Sequence, residues 1–127
     1  MSLLKRYAGW TFLVIATLII GSLAVQAGEV KNVNTGETFN TIQSAIDAES
    51  TEDGHTLEVK AGTYEEAISV DKSLTLEGNE GVVIAPPEGG AKELMEIWAD
   101  DVTVKGFEFD GEGSVDDGIV VNPHAEV

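Results

Sequence analysis

The stretch that organises this chain is VDKSLTLEG, residues 70–78, because a second copy of its pattern follows it. A shift of 28 residues places it on WADDVTVKG, residues 98–106. The apolar positions, the central threonine and the closing glycine coincide, so Leu76 corresponds to Val104 and Val70 to Trp98. A repeat of this length, made of short alternating segments joined by turns, is typical of a solenoid whose units stack on one another.

Further alternation extends the pattern on both sides of the repeat. A shift of 25 places residues 93–95 on residues 118–120 and Val102 on Val127. Apolar and polar residues alternate in six short segments, which predict strands of three to five residues separated by Gly, Asp, Asn and Pro turns. Their apolar pairs are Leu57/Val59, Ile68/Val70, Leu74/Leu76, Val82/Ile84, Val102/Val104 and Phe107/Phe109.

The position of Val127 in the repeat carries an expectation about the gene product. Val127 lies where Val102 and Leu74 begin a strand, so the chain stops as a further strand is due. A stacked sheet that ends there leaves backbone N–H and C=O groups unpaired. We therefore expect a fragment of a longer protein, with a partner chain over the open end as the alternative.

A different periodicity precedes the strands. The apolar positions 39, 42, 45 and 46 follow helical spacing. Asn40 or Thr41 supplies a side chain that caps the first turn. The sequence therefore predicts one short amphipathic helix at residues 40–48, ahead of the first strand.

These segments together resemble a known fold family. FNTIQSAIDA at residues 39–48, GHTLEVKAGTYEE at 54–66, ISVDKSLTLEG at 68–78 and ADDVTVKGF at 99–107 look like the opening of pectin-lyase-like proteins. Within that family they are most similar to the NosD-type surface and periplasmic β-helix repeat proteins. The resemblance covers about residues 38–127. It implies an all-β fold, a right-handed single-stranded parallel β-helix whose first coil is capped by the short α-helix, with Tyr64 packed beside that helix.

The N-terminal segment has the layout of an export signal. Lys5 and Arg6 precede an apolar run, and small residues lead to Ala27. We expect residues 1–27 to be a signal peptide cleaved before Gly28, or an uncleaved anchor that crosses the membrane through residues 10–27. Either case places the domain at residues 28–127 outside the cytoplasm, secreted or on the cell surface.

Charge and cysteine content limit the classes of partner that the protein is expected to bind. All 23 acidic residues follow Ala27, the whole chain carries a net charge of −16, and it has no cysteine. Such a surface repels nucleic acid, so no nucleic-acid partner is expected. The acidity is explained by solubility or by adaptation to high salt, and we favour the halophilic explanation.

The chain offers little for catalysis. Lyases of the resembled family generally use Arg or Lys with Asp-bound calcium, and its esterases use two Asp with an Arg. The only arginine here is Arg6, inside the export segment. Lys72 and Lys105 flank turns, where a solvated lysine is the ordinary outcome. His55 and His124 lack ligand spacing, so the NosD resemblance brings no copper site with it. No catalytic or cofactor-binding residue is assigned, and whether the protein is an enzyme stays open.

The acidic turn at residues 110–118 is the best candidate for a metal site. Asp110, Glu112 and Ser114 place oxygen atoms at alternate positions, and Asp116 follows. Such oxygen ligands suit calcium, although the loop lacks the pattern of an EF-hand. A solvated turn is the favoured alternative. The candidate calcium ligands are Asp110, Glu112 and Asp116.

Three aromatic residues raise the question of sugar binding. Trp98, Phe107 and Phe109 form either a stacking platform or part of the core, and the alignment of Trp98 with Val70 favours the core. The leading hypothesis is a non-catalytic surface protein that binds a polysaccharide or a cell-surface glycan. One alternative is a polysaccharide-active lyase, esterase or hydrolase whose catalytic coils lie beyond residue 127. A NosD-like accessory factor is the other.

Overall fold

The computed structural model describes residues 28–111, 113 and 115–122. This part of the chain is mostly β-strand with one short helix, as the sequence predicts. The elements in chain order are β1 (Val30–Asn32), β2 (Thr38–Phe39), α1 (Ile42–Asp47), β3 (Thr56–Val59), β4 (Gly62–Glu65), β5 (Ile68–Val70), β6 (Thr75–Ala85), β7 (Glu93–Ile97), β8 (Thr103–Phe109) and β9 (Asp117–Val121).

The strands form two sheets, and most of their pairings are parallel. The first sheet has the order β2-β1-β3-β6-β4, with β8 also paired to β6, and the second has the order β5-β7-β9. Within the described residues, the antiparallel pairings are those of β1 with β2 and with β3. After β4 the chain passes to the second sheet at β5, returns at β6, and repeats the passage through β7, β8 and β9. Strands that pair in parallel are therefore joined by a connection that passes through the other sheet.

The strand registers test the repeat directly. Thr75 pairs with Thr103 and Leu76 with Val104, which confirms the shift of 28 in this part of the chain. Met95 pairs with Ile119, however, so the predicted shift of 25 was wrong by one residue. The adjacent residues Leu94 and Met95 are both fully buried. Because that pair breaks the alternation of period two, the sequence pattern does not select a single register there.

Two of the strands are longer than predicted. β6 has 11 residues and β8 has 7, because each joins two predicted strands across a bend. The bends coincide at Gly78 and Gly106, whose backbones stack so closely that a Cβ atom on Gly78 would lie 2.6 Å from the Gly106 carbonyl oxygen. Gly106 also has a φ of +83°, which favours glycine. The repeated glycine of the sequence is therefore explained by backbone contact.

The core lies between the two sheets and beneath the helix. Leu57, Leu76 and Ile84 are fully buried, as the predicted inward stripe requires. Phe107 and Phe109 are half-buried against this core, with ring centroids 6.3 Å apart. Their predicted inward orientation is confirmed.

The N-terminal layer is fixed by polar contacts. Thr41 caps the helix, since its side chain accepts a hydrogen bond from the Ser44 N–H. Asn32 is fully buried and its Nδ2 lies 3.1 Å from both Thr51 Oγ1 and His55 Nδ1. His55 therefore has structural partners, as predicted for it.

Several predictions lie outside the described residues. They concern the export segment at residues 1–27, His124 and the repeat position of Val127. Within the described part of the chain, no helix has the length and apolar character needed to cross a bilayer.

Candidate ligand-binding face

The outer surface of the sheet β5-β7-β9 carries an exposed column of side chains at the ends of its strands. Val70 pairs with Ile97, and Ile97 pairs with Val121. The ladder continues one residue further, because the Trp98 N–H donates to the Val70 carbonyl at 2.8 Å and the Asn122 N–H donates to the Ile97 carbonyl at 2.9 Å. The residues that follow the strands, Asp71, Trp98 and Asn122, therefore lie beside one another at the strand ends, where neighbouring strands are about 4.8 Å apart.

We call this surface the Trp98 face. The column at its end consists of Asp71, Trp98 and Asn122, and the column two residues earlier consists of Ser69, Glu96 and Val120. Side chains two residues apart on a strand lie on the same face. The face thus combines one large aromatic ring with carboxylate, hydroxyl and amide groups, which is the composition of a site for a polar ligand with an apolar side.

Trp98 is the large aromatic side chain of this face, and 52% of its surface is accessible to solvent. The prediction that it lies in the core was wrong. The sequence alignment placed Trp98 on the buried Val70, but the structure pairs Val70 with Ile97. A slip of one residue in a strand moves a side chain to the opposite face.

The slip has a local cause in the turn after β7. Four residues, 71–74, connect β5 to β6, whereas five residues, 98–102, connect β7 to β8. The longer turn contains Asp101, the described non-glycine residue with positive φ, at +54°. Aspartate tolerates this left-handed conformation better than most residues. Because of this extra residue, paired residues are separated by 27 positions in the chain before the turn and by 28 after it.

The start of the face is held in place by the helix. Gln43 on α1 bonds the backbone of Ser69 twice, since its Nε2 donates to the Ser69 carbonyl at 3.1 Å and its Oε1 accepts from the Ser69 N–H at 2.7 Å. The side-chain amide thereby takes the place of a neighbouring strand along the free edge of β5. This arrangement satisfies backbone groups that an edge would leave unpaired.

Two charged residues that flank β5 form hydrogen bonds with the two ends of the same helix. The Glu66 carboxylate accepts hydrogen bonds from the N–H groups of Ile42 and Gln43, both at 2.9 Å. The Lys72 ammonium donates to the carbonyls of Ile46, Ala48 and Thr51 at 2.6, 3.0 and 2.9 Å. The prediction of a solvated Lys72 was therefore wrong. Both contacts also suit the partial charges at the helix ends.

The Trp98 face is strongly acidic. Asp71 is exposed beside Trp98 in the column, and Glu96 is half-buried two residues before it. Asp100 and Asp101 are exposed in the adjoining turn. Lys72, which follows Asp71 in the chain, directs its ammonium to the helix carbonyls, so it does not offset the Asp71 carboxylate at the surface.

Other predicted residues lie elsewhere. Lys105 is exposed on β8 and its Nζ lies 3.2 Å from Glu77 Oε2, so it has an ordinary surface ion pair. Asp110 and Asp116 are exposed at opposite ends of the acidic turn. Glu112 and Ser114 lie outside the described residues, and the described residues bring together no group of three metal-binding side chains. The calcium site stays a prediction.

Sequence reasoning singled out Trp98 but missed Asp71 and Asn122. A signal for all three was available, because each directly follows a short apolar strand. In the run EIW at residues 96–98, the buried Ile97 gives Trp98 the same orientation as the polar Glu96. Alternation within one strand was thus a better guide to Trp98 than alignment across a turn of different length.

Comparison with known proteins gives one informative similarity. Over 99 residues the chain is 41% identical to a cell surface glycoprotein of Methanothermus fervidus. The match spans 77% of this chain and 16% of the relative, so the chain corresponds to a small part of that longer protein. No protein-family model matches the chain, and no solved structure matches it.

Proposed function

We propose that this chain is part of a cell-surface protein that binds carbohydrate on the Trp98 face of a right-handed parallel β-helix. The single observation that carries the binding proposal is the exposed indole of Trp98 in a column of polar side chains. No residue in the described part of the chain has an arrangement that favours catalysis over binding.

The β-helix proposal is supported by the order in which the chain visits its sheets. Parallel neighbours are separated by 27 residues between β5 and β7, 28 between the first parts of β6 and β8, and 24 between β7 and β9. Each such interval contains one passage through both sheets. Stacked coils of similar length produce this pattern, and the capping helix along β5 agrees with the resembled family.

The surface location is supported by two independent features. The relative in Methanothermus fervidus is named a cell surface glycoprotein. Residues 1–27 of this chain have the charge and apolar pattern of an export signal or anchor. The proposed location is outside the cytoplasm, with residues 10–27 as the membrane attachment if the signal is retained.

Carbohydrate suits the face for physical reasons. A sugar ring presents C–H groups on one side, and these pack against the electron-rich face of an indole. Its hydroxyl groups bond to carboxylate and amide side chains beside the ring, such as Asp71 and Asn122. Because the side chains are carried by paired strands, they are positioned by the sheet before the ligand arrives, which reduces the entropy cost of binding.

The test is a binding experiment with the whole chain and with Trp98→Ala. We expect retention of the chain on a panel of immobilised polysaccharides, and a loss of affinity of about tenfold or more in the variant, which corresponds to ~1.4 kcal/mol. Val33→Ala is the matched control, because Val33 is 49% exposed on the β1–β2 hairpin, away from the face. If Trp98→Ala binds every glycan as the parent does, the proposed site is wrong.

A further inference from the structure

The charges around Trp98 discriminate between classes of sugar. Asp71 adjoins Trp98 at the strand ends, Glu96 lies two residues before Trp98 on the same face, and Asp101 lies in the next turn. A carboxylate or sulfate on a ligand over the indole would meet several negative charges at short range. Like charges placed together at a binding surface cost free energy, so such ligands are disfavoured.

No lysine of the described chain forms an ion pair with Asp71, Glu96 or Asp101. Lys72 is engaged by three carbonyl groups at the end of the helix. Lys60 pairs with Glu29, Lys92 with Glu93 and Lys105 with Glu77. Lys92 precedes β7 while Trp98 follows it, so the two are separated by about 20 Å of extended strand. The negative potential of the face therefore remains available to a ligand.

The indole itself favours a cation. Tryptophan is the best aromatic partner for an ammonium group above its ring. Carboxylates beside the ring add charge-assisted hydrogen bonds to the same ammonium group. Trp98 and Asp71 together offer both interactions to one ligand atom.

We infer that the Trp98 face selects sugars that carry a protonated amine, that is, polymers of amino sugars with free amino groups, over neutral sugars and over uronates. This inference rests on the proposed function, because it names the class of carbohydrate for the same site.

The experiment compares three hexasaccharides of equal length by calorimetry at about pH 6, where a sugar amine is protonated. The probes are hexamers of glucosamine, N-acetylglucosamine and galacturonic acid. We expect the glucosamine hexamer to bind about tenfold or more tightly than the N-acetylated hexamer, and the galacturonic acid hexamer to bind most weakly. The preference should shrink as salt is added, because screening weakens exposed charge pairs.

Matched variants separate the local charges from the acidity of the whole chain. Asp71→Asn with Glu96→Gln should reduce the ratio of the affinities for the glucosamine and N-acetylglucosamine hexamers several-fold, whatever loss of hydroxyl contacts the two hexamers share. Glu37→Gln with Glu88→Gln removes the same charge from exposed residues outside the sheet β5-β7-β9 and should leave the preference intact. Equal loss in the two double variants would overturn the inference, because bulk charge would then explain the binding.

The remaining outcomes distinguish the two proposals. If the glucosamine and N-acetylglucosamine hexamers bind equally and Trp98→Ala weakens both, carbohydrate binding stands and amine selection is wrong. If Trp98→Ala changes the binding of none of the three probes, the proposed function is wrong, and the amine inference fails with it. Thermal unfolding of each variant, followed by circular dichroism, shows whether its fold is retained.

Discussion

Tyr64 on β4 ties the N-terminal segment to the first layer of the fold. Its hydroxyl donates to the Lys60 carbonyl at 2.8 Å and to the Glu29 carbonyl at 3.3 Å, and its side chain is almost fully buried. A Cβ atom on Gly28 would overlap the phenol ring, so glycine is required where the chain crosses it. The resemblance implied that Tyr64 packs beside the helix, and the partners that the structure gives its hydroxyl are these two carbonyls.

Tyr64 makes stability sensitive to alkaline pH. Burial raises the pKa of the Tyr64 phenol, and the negative charges of Glu66 and Glu29 act in the same direction. The folded chain thus holds this proton to higher pH than the unfolded chain, whose phenol titrates near 10, so the contribution is present below about pH 10 and is lost as the pH rises further. We expect urea unfolding to show a steeper loss of stability above about pH 10 in the parent than in Tyr64→Phe.

The neutral-pH measurement completes this prediction. Tyr64→Phe removes the hydroxyl that donates to the Lys60 and Glu29 carbonyls and should cost about 1 kcal/mol of unfolding free energy near pH 7. Identical pH profiles for the parent and the variant would contradict the assigned burial of the phenol.

The stacked glycines Gly78 and Gly106 predict an unusually sensitive position. Gly106→Ala would place a methyl group into the Gly78 carbonyl oxygen and would also hold alanine at a φ of +83°. Gly89→Ala is the matched control, because Gly89 has a φ of +95° but no atom within 4 Å of the added carbon. The control should cost about 1–2 kcal/mol from backbone strain alone.

We expect Gly106→Ala to cost at least ~1 kcal/mol more than Gly89→Ala, because the backbones of β6 and β8 must separate. Denaturant titration of both variants measures the difference. Equal losses would mean that the two strands are not held at the distance the structure gives.

The helix α1 depends on the hydrogen bonds that Glu66 and Lys72 make with its two ends, because six residues are too few to form a stable helix alone. Glu66→Ala removes the acceptor for two helix N–H groups and should cost about 1–2 kcal/mol, while Glu65→Ala, at an exposed neighbour, should cost little. Lys72→Met removes three hydrogen bonds from an ammonium group and should cost ~2 kcal/mol or more.

Lys60→Met is the control for the lysine change, since Lys60 is half-exposed and pairs with Glu29 at 3.6 Å. Exposed pairs of this kind contribute little. If Lys60→Met and Lys72→Met lose the same unfolding free energy, the hydrogen bonds of Lys72 do not stabilise the helix.

At the level of elements, much of the fold was predictable because strands alternate. The position of α1 and its cap at Thr41 followed from helical spacing, and the pairing of Leu76 with Val104 followed from the repeat. Two failures share one cause. Where a turn gains a residue, as at Asp101, or where two apolar residues adjoin, as at Leu94 and Met95, sequence pattern fixes strands but not their register.

The candidate site was less predictable for the same reason. Its aromatic residue was recognised, but Trp98 was assigned to the wrong side of its sheet. Asp71 and Asn122 become partners of Trp98 only through hydrogen bonds between strands more than 20 residues apart in the chain. Long-range register of this kind is decided by packing and turn length together.

The whole molecule carries a large excess of negative charge. All 23 acidic residues lie after Ala27, and the net charge of the chain is −16. Self-repulsion destabilises the compact state and is screened by salt. We expect the melting temperature to rise with sodium chloride from low salt to about 1 M, where the Debye length is ~3 Å.

A variant with fewer exposed carboxylates should show a shallower dependence on salt. Suitable positions are Glu37, Glu49, Glu80, Glu88 and Glu108, each changed to glutamine. A melting temperature that is constant across the salt range would contradict the halophilic interpretation of the composition.

The hydrogen bonds of Glu66 and Lys72 with α1 also indicate an order in which the parts of the molecule fold. These contacts join residues 41–51 to residues 66–72, which are close in sequence, and contacts of this kind form early because little loop entropy is lost. Later strands add to an edge that already exists.

Amide hydrogen exchange should therefore be slowest around β3, β5 and β6 and become faster toward β8 and β9. Lys72→Met should accelerate exchange in every strand. Val120→Gly, in the last strand, should accelerate it only nearby; uniform exchange along the chain would mean that the layers open as one unit.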